Sequence, residues 1–146
     1  MTGADPTGTA QGPAPRPVAA PDNVTAGWWA ATSERRLTVQ RCRACGGAQL
    51  YPRPLCTSCG GTDLDLVDAA GRGTVHSMTV VHRGPHPAFT PPYVVALVRL
   101  DEGPTMMTNV VGCDPATVHI GQAVEVTWLD LDDGRRLPLF TPTPKD

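Results

Sequence analysis

Four cysteines in two pairs constrain this chain more than any other feature. Cys42 and Cys45 form one CxxC, Cys56 and Cys59 form a second, and ten residues separate Cys45 from Cys56. Four thiolates at this spacing suit a tetrahedral Zn²⁺, each CxxC setting two sulfurs on one tight turn. Each pair is followed by Gly-Gly, Gly46-Gly47 and Gly60-Gly61, which lets the backbone take positive φ and fold back around a metal. A closed Cys₄ site has no open coordination position, so the zinc expected at Cys42, Cys45, Cys56 and Cys59 is structural and does not catalyse. The redox use of CxxC needs one pair beside a βαβ pattern, which is absent here. Disulfides suit secreted chains, and this N-terminus has neither the basic start nor the apolar core of a signal peptide. A cytoplasmic location with reduced thiols is expected.

With 146 residues, the chain has room for one ordinary domain or for a small metal module joined to one. A formal charge of −2 opposes wholesale binding to nucleic acid or anionic membrane. No apolar run approaches the length of a membrane span.

Residues 1–22 hold five Pro, five Ala and three Gly, with Asp5, Arg16 and Asp22 the charged positions. Such a segment reads as a disordered tail or a proline-stiffened linker. Residues 23–36 read as a short helix, capped by Asp22 or Asn23 and ending at Arg35-Arg36. Val24, Trp28 and Ala31 share a face with Trp29 beside them. Adjacent helix positions point about 100° apart, so burying both tryptophans on one surface is difficult, and one is a candidate to pack on a partner protein. Residues 37–68 make the metal ribbon, with strands near Leu37–Gln40 and Asp63–Val67. After Gly71 the pattern is β: strands near Thr74–His82, Tyr93–Asp101, Thr105–Val111, Ala123–Leu129 and Leu137–Phe140, with a single helical turn near Asp114–Val118. The expected fold is mainly β: a short helix and a zinc ribbon, then a five-stranded OB-fold barrel over 69–142 and a tail at 143–146.

No catalytic constellation emerges. His82 and His86 are four apart, but the prolines around them forbid the helix that would join them as ligands. Cys113 stands alone and reads as an inert thiol, and Met106-Met107 reads as core filling. From Arg35 to Thr62 there are five arginines and no acidic residue. Arginine forks fit phosphate oxygens, and arginine near a thiolate cluster also neutralises its charge. A ribbon joined to an OB-fold also serves RNA-binding proteins, which makes single-stranded RNA the alternative ligand. Acidic residues outnumber Arg and Lys after Thr62, and that balance opposes a phosphate backbone. A free-standing coenzyme A-binding protein is a third reading.

The run LTVQRCRACGGAQLYPRPLCTSCGGTDLDLV, followed by GRGTVHSMTVVHR, PYVVALVRLDEG, TNVVG and IGQAVEV, resembles one family: OB-fold proteins with an N-terminal rubredoxin-like zinc ribbon, long catalogued as a domain of unknown function. The resemblance covers about residues 24–142. It implies a non-catalytic partner of a thiolase-like acyl-CoA enzyme, in a hetero-oligomer whose interface can form part of a shared coenzyme A channel. Similar domains are fused to a hot-dog hydratase and serve a lipid-transfer-protein-type retro-aldolase, a lyase of steroid side-chain degradation in lipid metabolism. By that resemblance Arg41, Arg43 and Arg53 are candidates for coenzyme A phosphates. Trp28, Trp29, His82, Phe89 and Tyr93 are candidates to face the partner or the acyl channel, and the chain is not expected to be catalytic alone.

Overall fold

The computed structural model of the chain describes residues 14–144; positions 1–13 of the expected tail and the last two residues lie outside them. The helix α1 is Ala26–Ser33, shorter than the expected 23–36. Asp22 explains its start. The Asp22 carboxylate accepts hydrogen bonds from the N–H groups of Val24 (2.9 Å) and Thr25 (2.8 Å), making residues 22–25 a turn that feeds the helix. Arg35 explains its end, with φ +58°. In that left-handed conformation the Arg36 N–H turns back to the Ala31 carbonyl (2.9 Å), which closes the last turn.

The ribbon is a three-stranded antiparallel sheet ordered β2–β1–β3, from β1 (Thr38–Cys42), β2 (Ala48–Gln49) and β3 (Leu64–Asp68). The two-residue β2 was not expected, being too short for any periodicity. Two buried glutamines hold the loop between the cysteine pairs. Gln49 Nε2 donates to Gln40 Oε1 (2.7 Å) and to the Leu55 carbonyl (3.1 Å), and Gln40 Oε1 also accepts from the Arg53 N–H (2.9 Å). Such a satisfied buried network fixes one arrangement of the loop.

Five strands close the barrel: β4 (Arg72–Val81), β5 (Tyr93–Leu100), β6 (Thr105–Val110), β7 (Ala123–Asp130) and β8 (Arg136–Pro142), in the order β4–β5–β6–β8–β7. All neighbours are antiparallel except β6 and β8, which meet in parallel at Val110 and Phe140. The expected five-stranded barrel is therefore present, each strand within two residues or so of its expected ends. β4 is shared between β5 and β7, and a bulge between Val75 and Ser77 lets it curve around the barrel. Gly73 sits where it crosses β5, and a Cβ there would lie 2.4 Å from the Arg99 carbonyl oxygen. The turn expected near Asp114–Val118 is a 3₁₀ turn at Pro115–Thr117.

Helix, ribbon and barrel share one core. Trp28 of α1 and Leu37 and Val39 of the ribbon belong to the same buried cluster as Val75, Val98, Met106 and Phe140. Met107 departs from the expected core role. It follows the inward-facing Met106, so strand alternation turns it outward, and it is 64% exposed. Among the described residues no helix is long and apolar enough to cross a membrane.

Candidate metal centre and aromatic groove

The four cysteine sulfurs lie within 4.8 Å of one another. Cys42 and Cys59 sulfurs are 3.7 Å apart, and those of Cys45 and Cys56 3.6 Å. Tetrahedral zinc–sulfur bonds of about 2.3 Å place sulfurs about 3.8 Å apart, so the cluster fits the ion. Two matching knuckles build it. The N–H groups of Gly47, Ser58 and Gly61 each approach a cysteine sulfur at 3.4 Å. Gly46 and Gly60 both take φ +76°, the left-handed turn foreseen for them. The Cys56 thiol is lowered to about 6, first by the Cys59 and Ser58 backbone N–H groups. Cys59 rises to about 11: the Gly61 N–H pulls it down, but the three neighbouring cysteines outweigh that pull. A bound cation would offset the mutual repulsion of thiolates packed this closely. Zinc held here would bind Cys42, Cys45, Cys56 and Cys59 and stabilise the ribbon, with no position left for substrate.

A second feature lies where helix, ribbon and barrel meet. It is a groove of about 540 Å³ walled by Trp28, Trp29, Tyr51, Phe89 and Tyr93, with Val95 and Leu139 beneath. Trp28 is 1% exposed and meets Trp29 and Tyr51 edge-on, with ring centroids 4.8 and 5.0 Å away. Phe89 stacks on Tyr93 at 5.3 Å. Both tryptophans find cover because α1 sits in a corner. Trp28 enters the shared core, while Trp29 faces the groove under the Arg135 guanidinium, 4.4 Å from its ring.

Residues 16–19, within the stretch expected as tail or linker, form one wall of this groove as extended coil. Arg16 Nη2 donates to Asn109 Oδ1, and its guanidinium lies 4.8 Å over the Phe89 ring. Arg135 Nη1 donates to the Ala19 carbonyl at 2.8 Å. The Asn109 amide is itself buried and donates to the Val94 carbonyl at 2.7 Å. Burial lowers the Arg16 pKa below the ordinary guanidinium value.

Of the residues proposed to face a partner or acyl channel, the structure gathers Trp28, Trp29, Phe89 and Tyr93 in this groove. His82 is exposed and outside it. The three arginine candidates stand on the ribbon. Arg43 is taken up by Asp65 (2.5 Å) and Asp63 (3.8 Å), and Arg41 by the Gly46 carbonyl at 3.4 Å. The guanidinium of Arg53 has no partner among the described residues, and its position is two residues from the groove wall at Tyr51. Arg16, Tyr51 and Asn109 were missed. The available signal was Arg16 as the one charge between Asp5 and Asp22 in a Pro/Ala stretch. Cys113 is partly buried, and burial raises its thiol pKa, as an inert thiol requires.

Residues 29–65 match the family described as the ChsH2 rubredoxin-like zinc ribbon domain, and residues 66–129 the ChsH2 C-terminal OB-fold domain. A probable enoyl-CoA hydratase alpha subunit of Thermomonospora curvata is 48% identical over 88% of this chain and 40% of its own length. The 3-oxo-4,17-pregnadiene-20-carboxyl-CoA hydratase alpha subunit of Mycobacterium tuberculosis is 38% identical over 75% of this chain and 35% of its own length. The chain thus spans about two fifths of these curated relatives or less. A DUF35 domain-containing scaffold protein of Methanocaldococcus jannaschii is 34% identical over 64% of this chain and 71% of its own length. One chain of the solved Ltp2–ChsH2(DUF35) aldolase superposes with TM-score 0.77 at 47% identity, covering 87% of this chain and 98% of that one. With its Cys₄ ribbon, its closed five-stranded barrel and these matches, the chain belongs to the DUF35 family, whose ChsH2 members join a rubredoxin-like zinc ribbon to a C-terminal OB-fold.

Proposed function

We propose that this chain is a non-catalytic accessory domain of a thiolase-like, lipid-transfer-protein-type acyl-CoA enzyme. It binds that enzyme and helps form its acyl-CoA site, the reaction being retro-aldol cleavage of a steroid side chain. The observation that carries this reading is the groove. It is large, aromatic and open, yet no cysteine, histidine, lysine or carboxylate is among the residues lining it. Such a surface supplies shape and apolar contact and leaves acid–base and nucleophilic steps to another protein.

The outer face of the barrel beside the groove suits a partner. Leu97 and Met107 are cross-strand neighbours on β5 and β6, and with Val95 they make an apolar strip that runs into the groove. Exposed apolar strips of this kind mark protein interfaces. The names of the relatives support the chemistry: one solved relative is an aldolase pairing Ltp2 with a DUF35 chain, and one curated relative is a hydratase subunit for a pregnadiene-carboxyl-CoA. Arg53, without a partner among the described residues and two positions after Tyr51 of the groove wall, is the leading candidate for a coenzyme A phosphate; Arg41 and Arg43 follow it.

Co-expression with a thiolase-like protein encoded beside this chain tests the reading. The two should co-purify at fixed stoichiometry, and Met107→Glu should separate them by placing a charge in an apolar contact. Independent elution of the unaltered proteins overturns it.

A further inference from the structure

We propose that the outer rim of the groove is a peptide-recognition site that reads an arginine set between two prolines, and that this chain's own residues 14–19 are its ligand. The segment ahead of the helix is then a bound peptide with a fixed course, not a tether. This goes beyond the accessory role, because it needs no partner enzyme and stands or falls without one.

Three observations carry it. First, the segment lies on the barrel as an extended peptide does. Exposure alternates along it: Ala14, Arg16 and Val18 are partly buried, while Pro15, Pro17 and Ala19 are exposed. That is the period of an extended chain with one face down. The sequence prepares this shape. Each proline fixes its own φ, and the residue before a proline, Ala14 and Arg16 here, is kept out of the helical region. Little conformational freedom is left to lose on binding.

Second, the barrel itself builds the pocket for Arg16. Asn109 is 6% exposed, and its amide nitrogen donates to the Val94 carbonyl at 2.7 Å. That bond fixes the amide, and Arg16 Nη2 donates to its Oδ1. The guanidinium also lies 4.8 Å from the centroid of the Phe89 ring, which is stacked on Tyr93 at 5.3 Å. A buried acceptor and a ring face, both held from β5, suit arginine. Nη1 is enclosed without a partner, so recognition runs through Nη2 and the ring face, and the affinity is modest.

Third, the segment covers a seam. β6 and β8 pair at a single position, Val110 with Phe140, and Asn109 and Leu139 next to it line the groove. Both sides of the seam hold the segment: Asn109 of β6 through Arg16, and Arg135, just before β8, through the Ala19 carbonyl at 2.8 Å. Covering strand edges in this way protects them from pairing with other chains.

Two measurements on the zinc-loaded 146-residue chain test the proposal. In the unaltered chain, ¹⁵N relaxation should give the amides of Arg16, Val18 and Ala19 order parameters near the roughly 0.85 of rigid backbone. Arg16→Gln should drop them below about 0.6 while the barrel spectrum stays unchanged. The peptide GPAPRPVAAP, residues 12–21, is then titrated into the labelled Arg16→Gln chain, whose own segment no longer fills the arginine pocket. Saturable shifts of the Asn109 side-chain amide are expected, with affinity at least about tenfold tighter than for the same peptide carrying Arg16→Gln. Disordered amides at residues 16–19 of the unaltered chain, or order that survives Arg16→Gln, overturns the proposal. Absence of saturable peptide binding, or equal binding of the two peptides, overturns it as well.

Discussion

Truncation of Trp28 tests how helix, ribbon and barrel are held together. Its indole is 1% exposed and sits in the one cluster that contains Val39 of the ribbon and Val98 and Phe140 of the barrel. Trp28→Ala removes the whole ring from a site bounded by three elements that cannot all collapse into the space. Substitutions of this type cost about 3–5 kcal/mol, a large part of the 5–15 kcal/mol that holds a domain folded. At 2–4 °C per kcal/mol for a chain of this size, the melting temperature should fall by roughly 6–20 °C. Trp28→Phe is the informative companion. It keeps edge-on contacts to Trp29 and Tyr51 and deletes an indole N–H that is enclosed without a partner. Relief of about 1–3 kcal/mol from the lost donor offsets the smaller ring, so Trp28→Phe should melt within about 1 kcal/mol of the parent. Calorimetry of the zinc-loaded chain measures both. A phenylalanine variant as unstable as the alanine variant refutes the reasoning, since the N–H must then be satisfied in the folded state.

Chelation of zinc, or Cys42→Ser with Cys56→Ser, should unfold the ribbon and, through Leu37 and Val39 in the shared core, lower the melting temperature of the barrel as well; thermal melts with and without chelator check this. Within an active complex, Arg53→Ala should raise KM for an acyl-CoA severalfold, while Arg43→Ala should change it little because Asp65 and Asp63 already occupy that side chain; steady-state kinetics separate the two. The Asp22 pKa is depressed by the Thr25 backbone N–H, then by the Thr25 hydroxyl and the Val24 N–H. Its contribution is therefore complete above about pH 5 and fades as pH falls below about 4. The melting-temperature gap between the parent and Asp22→Ala should be constant near neutrality and narrow in acid.

The sequence showed the metal centre almost whole, because a Cys₄ knuckle is a local device: spacing and Gly-Gly determine it without long-range packing. Barrel strands were equally legible, since the alternation of Val124, Val126 and Trp128 marks the side chains that join or pack on the core. The groove was only half visible. Its aromatics could be named, but not that Phe89, 61 residues after Trp28 in the chain, shares a cavity with it. The packing of residues 14–22 against the groove was not legible, for a physical reason. Composition describes what a segment does alone, whereas this one is held by a half-buried arginine and by a carbonyl gripped from Arg135. The helix overshot at both ends because Asp22 and Arg35 are turn-makers whose geometry periodicity does not encode.

The most direct measurement is acyl-CoA cleavage by the thiolase-like partner alone, by this chain alone, and by the two mixed at equal concentration. The accessory account predicts turnover in the mixture, none from this chain, and at least about tenfold less from the partner by itself. Thioester turnover by the purified 146-residue chain unaided, or a partner fully active without it, contradicts the account.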